Sequence, residues 1–458
     1  MSSPRSLPPD FLSGVREVIG ASRVLTDVDQ TCSYATDWTG RFNGETPAVL
    51  LPACAEEIAG IVALCREHGI ALSIQGGNTG LVGGGVPLAG EVLLSTRRLT
   101  QGIEVDKTTR SAIVGSSTTV AQLNDAALLT GLTYGVDLAS GESATIGGTI
   151  ATNAGGTRVI RYGDTRDQLI GLEAVLGSGG LICHLDSPER DNTGYDLTRL
   201  LCGSEGTLGV ITRARVRLAT VEPRRMTALL AFDSLHESIS AAALLRGELD
   251  SIAALELLLE TGVELVCKSF NLPMPFPERH EAYLLVESQG SEDLLMPLSA
   301  VLESVKGLSA SAIADEASRR ERLWSYRELH SLAINALGPP HKLDVSIPLD
   351  RYEMFLEGVR NVVSRRSHDA RIWIFGHVGD GGVHLNVTGL ESDDLAIDDT
   401  IVEIVADFHG SISAEHGIGT TKRRWLSYSR SDSEIAAFRA IKQALDPDGV
   451  LNPNVLLP

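Results

Sequence analysis

Hydrophobic positions in the first half of the chain recur in short alternating blocks. The run AVLLP from Ala48 reads as a strand, and Glu56 to His68 reads as a helix with Ile58, Ile61, Val62 and Cys65 on one face. Gly69 stands at the C′ position, and Ala71 to Ile74 (ALSI) makes a second strand, completing a βαβ unit. A Pro-flanked helical segment, Asp10 to Ile19, precedes it. Glu91–Ser95 and Ser111–Val114 read as further strands, and Thr119-Val-Ala-Gln122 has capping-box spacing before a helix that closes by Gly131. A β pattern returns from Val210 to Leu218. Beyond Pro223 the pattern changes. Thr227–Phe232, Tyr283–Glu287, Leu343–Ile347 and Ile372–Phe375 read as strands, while the Leu- and Ala-rich stretch Ala241 to Glu260 reads as core-packing helix. Ser433 to Leu445 is a final helix. Strands with helices segregated between them predict an α+β second half with a mainly antiparallel sheet.

Three glycine-rich regions interrupt this pattern. Gln75 to Gly85 reads QGGNTGLVGGG, in which glycines would each cost about 1 kcal/mol in a helix relative to alanine. Bare backbone N–H groups there can cradle a phosphate, although a surface linker would have the same composition. Ser140 to Gly156, SGESATIGGTIATNAGG, holds small residues that admit either a large flat ligand or a tight crossing of two chain segments. Asp191 to Thr212 is the third region, DNTGYDLTRLLCGSEGTLGVIT. No G-x-G-x-x-G opens a helix after the first strand and no G-K-[ST] occurs, which excludes the Rossmann and Walker fingerprints. Three separated regions instead suit a long ligand with a pyrophosphate and a flat ring.

At 458 residues the chain has room for two or three domains. A formal net charge of −20 argues against a nucleic-acid partner and against attachment to anionic lipid. The six cysteines are scattered without a CxxC pair, as expected of reduced thiols in a cytoplasmic protein. No apolar run reaches the ~18 residues of a membrane span, and no signal-peptide core opens the chain.

The segment Gly376 to Asn386, GHVGDGGVHLN, carries a second kind of chemistry. Asp380-Gly381 is a strong two-residue hairpin signal, and that turn would set His377 directly opposite His384, with Asn386 on the same face. Two facing histidines can share a metal ion or can simply bond to backbone. SAEHGIG offers Glu415 as a third ligand beside His416, unless Glu415 is an ordinary surface carboxylate. Two histidines, a carboxylate and an open position suit Zn²⁺, Mn²⁺ or Fe²⁺.

QGGNTGLVGGG, ATIGGTIATNAGG and GSEGTLGVIT, in this order, resemble the flavin-binding segments of the vanillyl-alcohol-oxidase (PCMH) type of FAD oxidoreductase. The resemblance implies an FAD-binding domain of two α/β subdomains over residues 1–222 (core about 44–222), an α+β substrate and metal domain over 223–410, and a segment 411–458 returning to the flavin. It implies flavin contacts at Gly76, Gly77, Asn78, Thr79, Gly80 and Leu81 in the first loop. In the second region it implies Gly141, Thr145, Ile146, Gly147, Gly148, Ala151, Asn153, Gly155 and Gly156. Glu205, Gly209, Ile211 and Asn452 complete the set. Asn78 stands where some members carry a flavin-linking histidine, so noncovalent FAD is expected.

GHVGDGGVHLN and SAEHGIG further resemble the metal-binding segments of FAD-dependent D-2-hydroxyacid dehydrogenases, with His377, His384 and Glu415 as ligands. Gly382 departs from the asparagine usual there. A metal beside a hydroxyl would lower its pKa, placing His416 as the general base for the hydroxyl proton while C2 hydride leaves for flavin N5. By resemblance Arg327, Ser331, Lys342, Asn386 and His416 contact the substrate, although Arg327 and Lys342 read in isolation are surface charges. Two cations suit a dicarboxylate, and GGTRVIRYG, Asp37-Trp38 and RDNTGYDL look most like the hydroxyglutarate group. The expected reaction is oxidation of D-2-hydroxyglutarate to 2-oxoglutarate, with an electron-transfer flavoprotein or quinone as acceptor. D-lactate, D-malate or glycolate as substrate, or a metal-free flavoprotein alcohol oxidase, are the alternatives; a homodimer is the default assembly.

Overall fold

The computed structural model describes residues 7–391 and 394–458. Packing divides the chain into two units. Unit 1 takes the residues up to Gly156, Tyr162–Val221 and Glu415–Pro458; unit 2 takes Thr157–Arg161 and Glu222–Ala414.

In unit 1, β1 (Val24–Leu25), β2 (Val49–Leu50), β3 (Leu72–Gln75) and β4 (Val92–Ser95) form a sheet in the order β1-β2-β4-β3, its last three strands parallel. The helices Pro9–Ile19 and Ala55–His68 bury Phe11, Val15, Ile58, Ile61, Val62 and Cys65 against it. Gly69 ends the second helix at φ 61, as its position after His68 requires. A second, antiparallel sheet takes β5 (Ile103–Asp106), β6 (Ser111–Gly115), β8 (Leu169–Leu176), β9 (Leu181–Cys183) and β10 (Gly209–Arg217) in the order β5-β6-β10-β8-β9. The intervening β7 (Leu132–Thr133) pairs with β11 (Ala219–Thr220). Both bonds of the Thr119–Gln122 capping box form, and the helix they start runs Val120–Leu128. The last segment closes the first sheet: Leu72 N–H donates to Val450 O at 2.7 Å, and Asn452 N–H donates to Leu72 O at 2.9 Å.

Unit 2 is built on one seven-stranded antiparallel sheet. Its strands are β12 (Arg224–Phe232), β13 (Ile252–Leu259), β14 (Ala282–Gly290), β15 (Leu308–Ala314), β16 (His341–Ser346), β17 (Arg371–Gly376) and β18 (Gly382–Thr388), in the order β15-β12-β14-β13-β17-β18-β16. This is the α+β arrangement expected from the pattern. Two elements differ from expectation. β15 was not anticipated, and the stretch read as helix to Glu260 is helix only over Leu235–Glu248, followed by β13. β13, IAALELLL, is buried at all eight positions between β14 and β17. A strand covered on both faces has no need of alternation, so helix-favouring Leu and Ala can fill it. Within unit 2, Arg158 holds Glu287 at 2.7 and 3.1 Å and Arg161 holds Glu222 at 2.6 Å. These pairs fasten the short 157–161 stretch into the unit despite its place in the sequence.

No helix among the described residues is long and apolar enough to cross a membrane, and all six cysteines are free thiols.

Candidate functional site

The glycine regions of unit 1 lie against one another. A β-carbon on Gly77 would stand 2.1 Å from Ser143 O, and one on Gly76 would stand 2.8 Å from Thr145 Oγ1. One on Gly147 would meet Ser116 Oγ at 1.7 Å, and one on Gly156 would meet Asp137 O at 2.3 Å. Close chain crossing therefore accounts for these four glycines, whereas Gly80 is exposed with nothing within 4 Å of its Cβ direction. Thr145 caps the short helix Ile146–Thr152, its hydroxyl accepting from Gly148 N–H at 3.2 Å. Leu81, Thr79, Gly141 and Ala151 are half-buried, while Gly155, Gly209 and Ile211 are buried.

Backbone strain concentrates in the same places. Asn78 (φ 57), Asn153 (φ 50), Glu205 (φ 51) and Asn452 (φ 39) all occupy the left-handed region, a cost held only where surrounding contacts over-determine it. Those contacts are visible. Asn78 Nδ2 donates to Thr36 O at 2.9 Å, and Asn153 Oδ1 accepts from Arg166 N–H at 2.9 Å. Asn452 donates to Glu205 O and accepts from Ile74 N–H, both at 2.7 Å. Glu205 accepts from Ile418 N–H at 2.8 Å and Gly419 N–H at 2.7 Å. Burial raises the Glu205 carboxyl in pKa, and these two amides offset only part of that rise. Glu205 thus works as the knot between the third glycine region and the C-terminal segment.

In unit 2 the histidine hairpin is built differently from its sequence expectation. The register pairs Phe375, not His377, with His384, and the connection between β17 and β18 is the five residues 377–381 rather than a two-residue turn. Asp380-Gly381 does bend the chain, but His377 O accepts from Asp380 N–H at 3.2 Å and from Gly382 N–H at 3.0 Å, so His377 belongs to the loop. Ile347 anchors that loop through its N–H to Gly381 O at 2.9 Å. The two imidazoles nevertheless converge, with ring centroids 5.2 Å apart and Nε2 atoms at 3.3 Å.

What makes this pair distinctive is the other side of each ring. His377 Nδ1 lies 2.6 Å from Glu256 Oε1, and His384 Nδ1 faces Asp344 Oδ1 at 3.7 Å. The Glu256 carboxylate, within hydrogen-bond distance of His377 Nδ1, favours a proton there and a lone pair on His377 Nε2. The Nε2 atom of His384 lies 3.3 Å from that of His377. Two nitrogens sharing one tetrahedral ion at ~2.05 Å would sit about 3.3 Å apart. The spacing of the two nitrogens fits a divalent cation.

Glu256 and Asp344 escaped the sequence reading. Glu256 was a lone acid inside an eight-residue apolar run, and a buried charge there demands partners. Asp344 follows Lys342 by two, hence on the same face of β16, opposite His384 in register. The neighbouring row places Lys342 opposite Asn386, which is itself opposite Trp373. Arg327 Nε donates to Glu256 Oε2 at 2.5 Å, and its guanidinium lies 4.7 Å from the centroid of Phe375. Burial alone would raise the Glu256 carboxyl, but the charge of Arg327 and the hydrogen bonds of His377 and Arg327 hold it below the usual carboxylate range. Ser331 is exposed on the helix His330–Asn335. Glu415 and His416 open the last segment of unit 1, directly after Ala414, whose N–H donates to Asp344 O at 3.4 Å.

Residues 46–185 match the FAD binding domain family and residues 221–456 match the FAD linked oxidases, C-terminal domain, family. The chain is 34% identical to a D-2-hydroxyglutarate dehydrogenase of Stutzerimonas stutzeri, over 97% of this chain and 98% of that one. It is 35% identical to the mitochondrial D-2-hydroxyglutarate dehydrogenase of Danio rerio, over 95% and 83%. Among solved structures, 4-ethylphenol oxidase from Gulosibacter chungangensis (TM-score 0.78, 18% identity, 99% of both chains) and p-cresol methylhydroxylase (TM-score 0.79, 16% identity, 98% of both) share the fold. By these matches, the chain belongs to the D-2-hydroxyglutarate dehydrogenase family of PCMH-type FAD oxidoreductases.

Proposed function

We propose that the protein is an FAD- and metal-dependent dehydrogenase that oxidises D-2-hydroxyglutarate to 2-oxoglutarate in the cytoplasm and passes electrons to an electron-transfer flavoprotein or quinone. The observation that carries the metal dependence is the opposed Nε2 pair of His377 and His384, with the His377 ring held from behind by the Glu256 carboxylate and the Asp344 carboxylate facing His384 Nδ1 at 3.7 Å. Glu415 is the third ligand in this reading, supported by its place one residue after the chain is tied to Asp344. Bound FAD, held noncovalently because Asn78 offers no linking imidazole, supplies the acceptor for the C2 hydride, and the cation supplies a Lewis acid.

The chain's own residues do the rest. Arg327 presents its terminal nitrogens to one substrate carboxylate while Glu256 holds its Nε, and Lys342 and Asn386, neighbours across β16 and β18, take the other. His416 accepts the hydroxyl proton. The buried Glu256 carboxylate keeps the His377 proton on Nδ1 throughout, so Nε2 stays a ligand.

Anaerobic mixing with D-2-hydroxyglutarate, D-malate, D-lactate and glycolate tests this. Flavin bleaching should be fastest with D-2-hydroxyglutarate and should stop after EDTA. His377→Ala should keep its flavin yet lose bleaching; unchanged bleaching in that variant, or indifference to EDTA, would favour the metal-free oxidase.

A further inference from the structure

We propose that Glu256 couples the substrate-carboxylate anchor to the metal centre, acting as a positioning residue between Arg327 and His377. Its two oxygens are divided: Oε1 lies 2.6 Å from His377 Nδ1 and Oε2 accepts from Arg327 Nε at 2.5 Å. The inference rests on the metal reading given above.

The placement is dictated by β13. Leu257 pairs with Gly376 and Leu258 with Phe375, so Glu256 is the next position along, level with the point where the chain leaves β17 at His377. It has no exposed surface, so it has no water to trade against its two partners. A carboxylate in that condition has a fixed amount of charge to share. Loading a cation on His377 Nε2 makes its Nδ1 proton more acidic and draws Glu256 toward the imidazole. The hold on Arg327 then weakens, and its guanidinium becomes a better acceptor site for a substrate carboxylate. By linkage, an anion on Arg327 must strengthen metal binding by the same factor. Phe375 packs between the anchor and the other histidine of the pair: its ring lies 4.7 Å from the Arg327 guanidinium carbon and 5.1 Å from the His384 ring.

Metal affinity measured without substrate separates this from a merely structural role. The full-length, flavin-loaded protein is stripped with chelator and titrated with Co²⁺, reading the visible d–d band and isothermal heat. Wild type should give a band of imidazole-ligated Co²⁺. Glu256→Gln should bind 10- to 100-fold more weakly with a shifted band, as loss of a carboxylate behind a ligating histidine does. Arg327→Met, which touches no ligand, should tighten Co²⁺ binding several-fold by releasing Glu256 to His377, and that gain should vanish in the Glu256→Gln background. Arg327→Lys, which keeps the charge, should show a smaller gain in the same direction and serves if the methionine variant does not fold. If wild type shows no Co²⁺ band, the metal reading itself fails. Should wild type bind but Arg327→Met or Arg327→Lys leave affinity unchanged, or give the same gain with and without Glu256, the coupling is overturned while the metal reading stands.

Discussion

Glu205 shows how a single carboxylate can organise distant parts of a sequence. Both of its oxygens accept backbone amides, from Ile418 and Gly419, and its own carbonyl accepts from Asn452. Glutamine has one acceptor oxygen where glutamate has two, so Glu205→Gln sets an amide NH₂ against a backbone N–H. Leaving a buried donor unsatisfied costs about 1–3 kcal/mol. We expect Glu205→Gln to lower the melting temperature of unit 1 and to release flavin, both read by following flavin fluorescence on heating. Retained flavin with an unchanged melting temperature would show that the amides find other acceptors.

The loop 377–381 is the element on which the histidine pair depends. Gly381 sits at φ 86, and a β-carbon there would stand 2.4 Å from Ile347 O. Gly381→Ala should therefore push the loop off its anchor, separate the two Nε2 atoms and abolish Co²⁺ binding, while flavin content stays at one per chain. The sequence made much of this legible. The strand ending at Phe375, the glycine bend and the candidacy of His377 and His384 as a pair follow from pattern and turn chemistry, although the loop rather than a cross-strand register brings the two rings together. The register did not, because Asp380-Gly381 promises a two-residue turn only when nothing else competes for its backbone, and Ile347 does compete. Glu256 was hidden for a related reason. IAALELLL satisfies a helical reading equally well, and only pairing with β14 and β17 turns it into a strand that delivers a carboxylate to His377. Contacts made at long range decide both cases, and no local pattern contains them. Capping by Thr119 and the left-handed turn at Gly69 were readable because they are local.

Acid stability reports on the whole folded chain, and two buried groups predict its course. His330 has no exposed surface, and neither ring nitrogen makes a hydrogen bond of good geometry, although the Tyr326 and Arg327 carbonyls lie near enough to act weakly on it. Burial, and then the charge of Arg327, bring its pKa down to about 3. A lowered pKa means the unfolded chain binds the proton first. The neutral ring's contribution is therefore complete above about pH 6.5 and is lost as pH falls toward 3, at up to ~1.4 kcal/mol per pH unit. Glu256, held below the usual carboxylate range, follows the same sign over a lower window: its contribution is complete above about pH 4.5 and is lost below that. Of the two groups, His330 alone acts between pH 6.5 and 4.5. Replacing this ring, which lies 4.9 Å from Phe375, with phenylalanine removes the titrating group and two buried nitrogens that lack a hydrogen bond of good geometry. His330→Phe should match or exceed wild-type stability at pH 7.5, and its advantage should widen steadily as pH is lowered to 4.5. Denaturant midpoints followed through Trp324 and Trp373 fluorescence would show this as two curves that diverge on the acid side; parallel curves would mean that His330 is protonated in the native state and has found a partner.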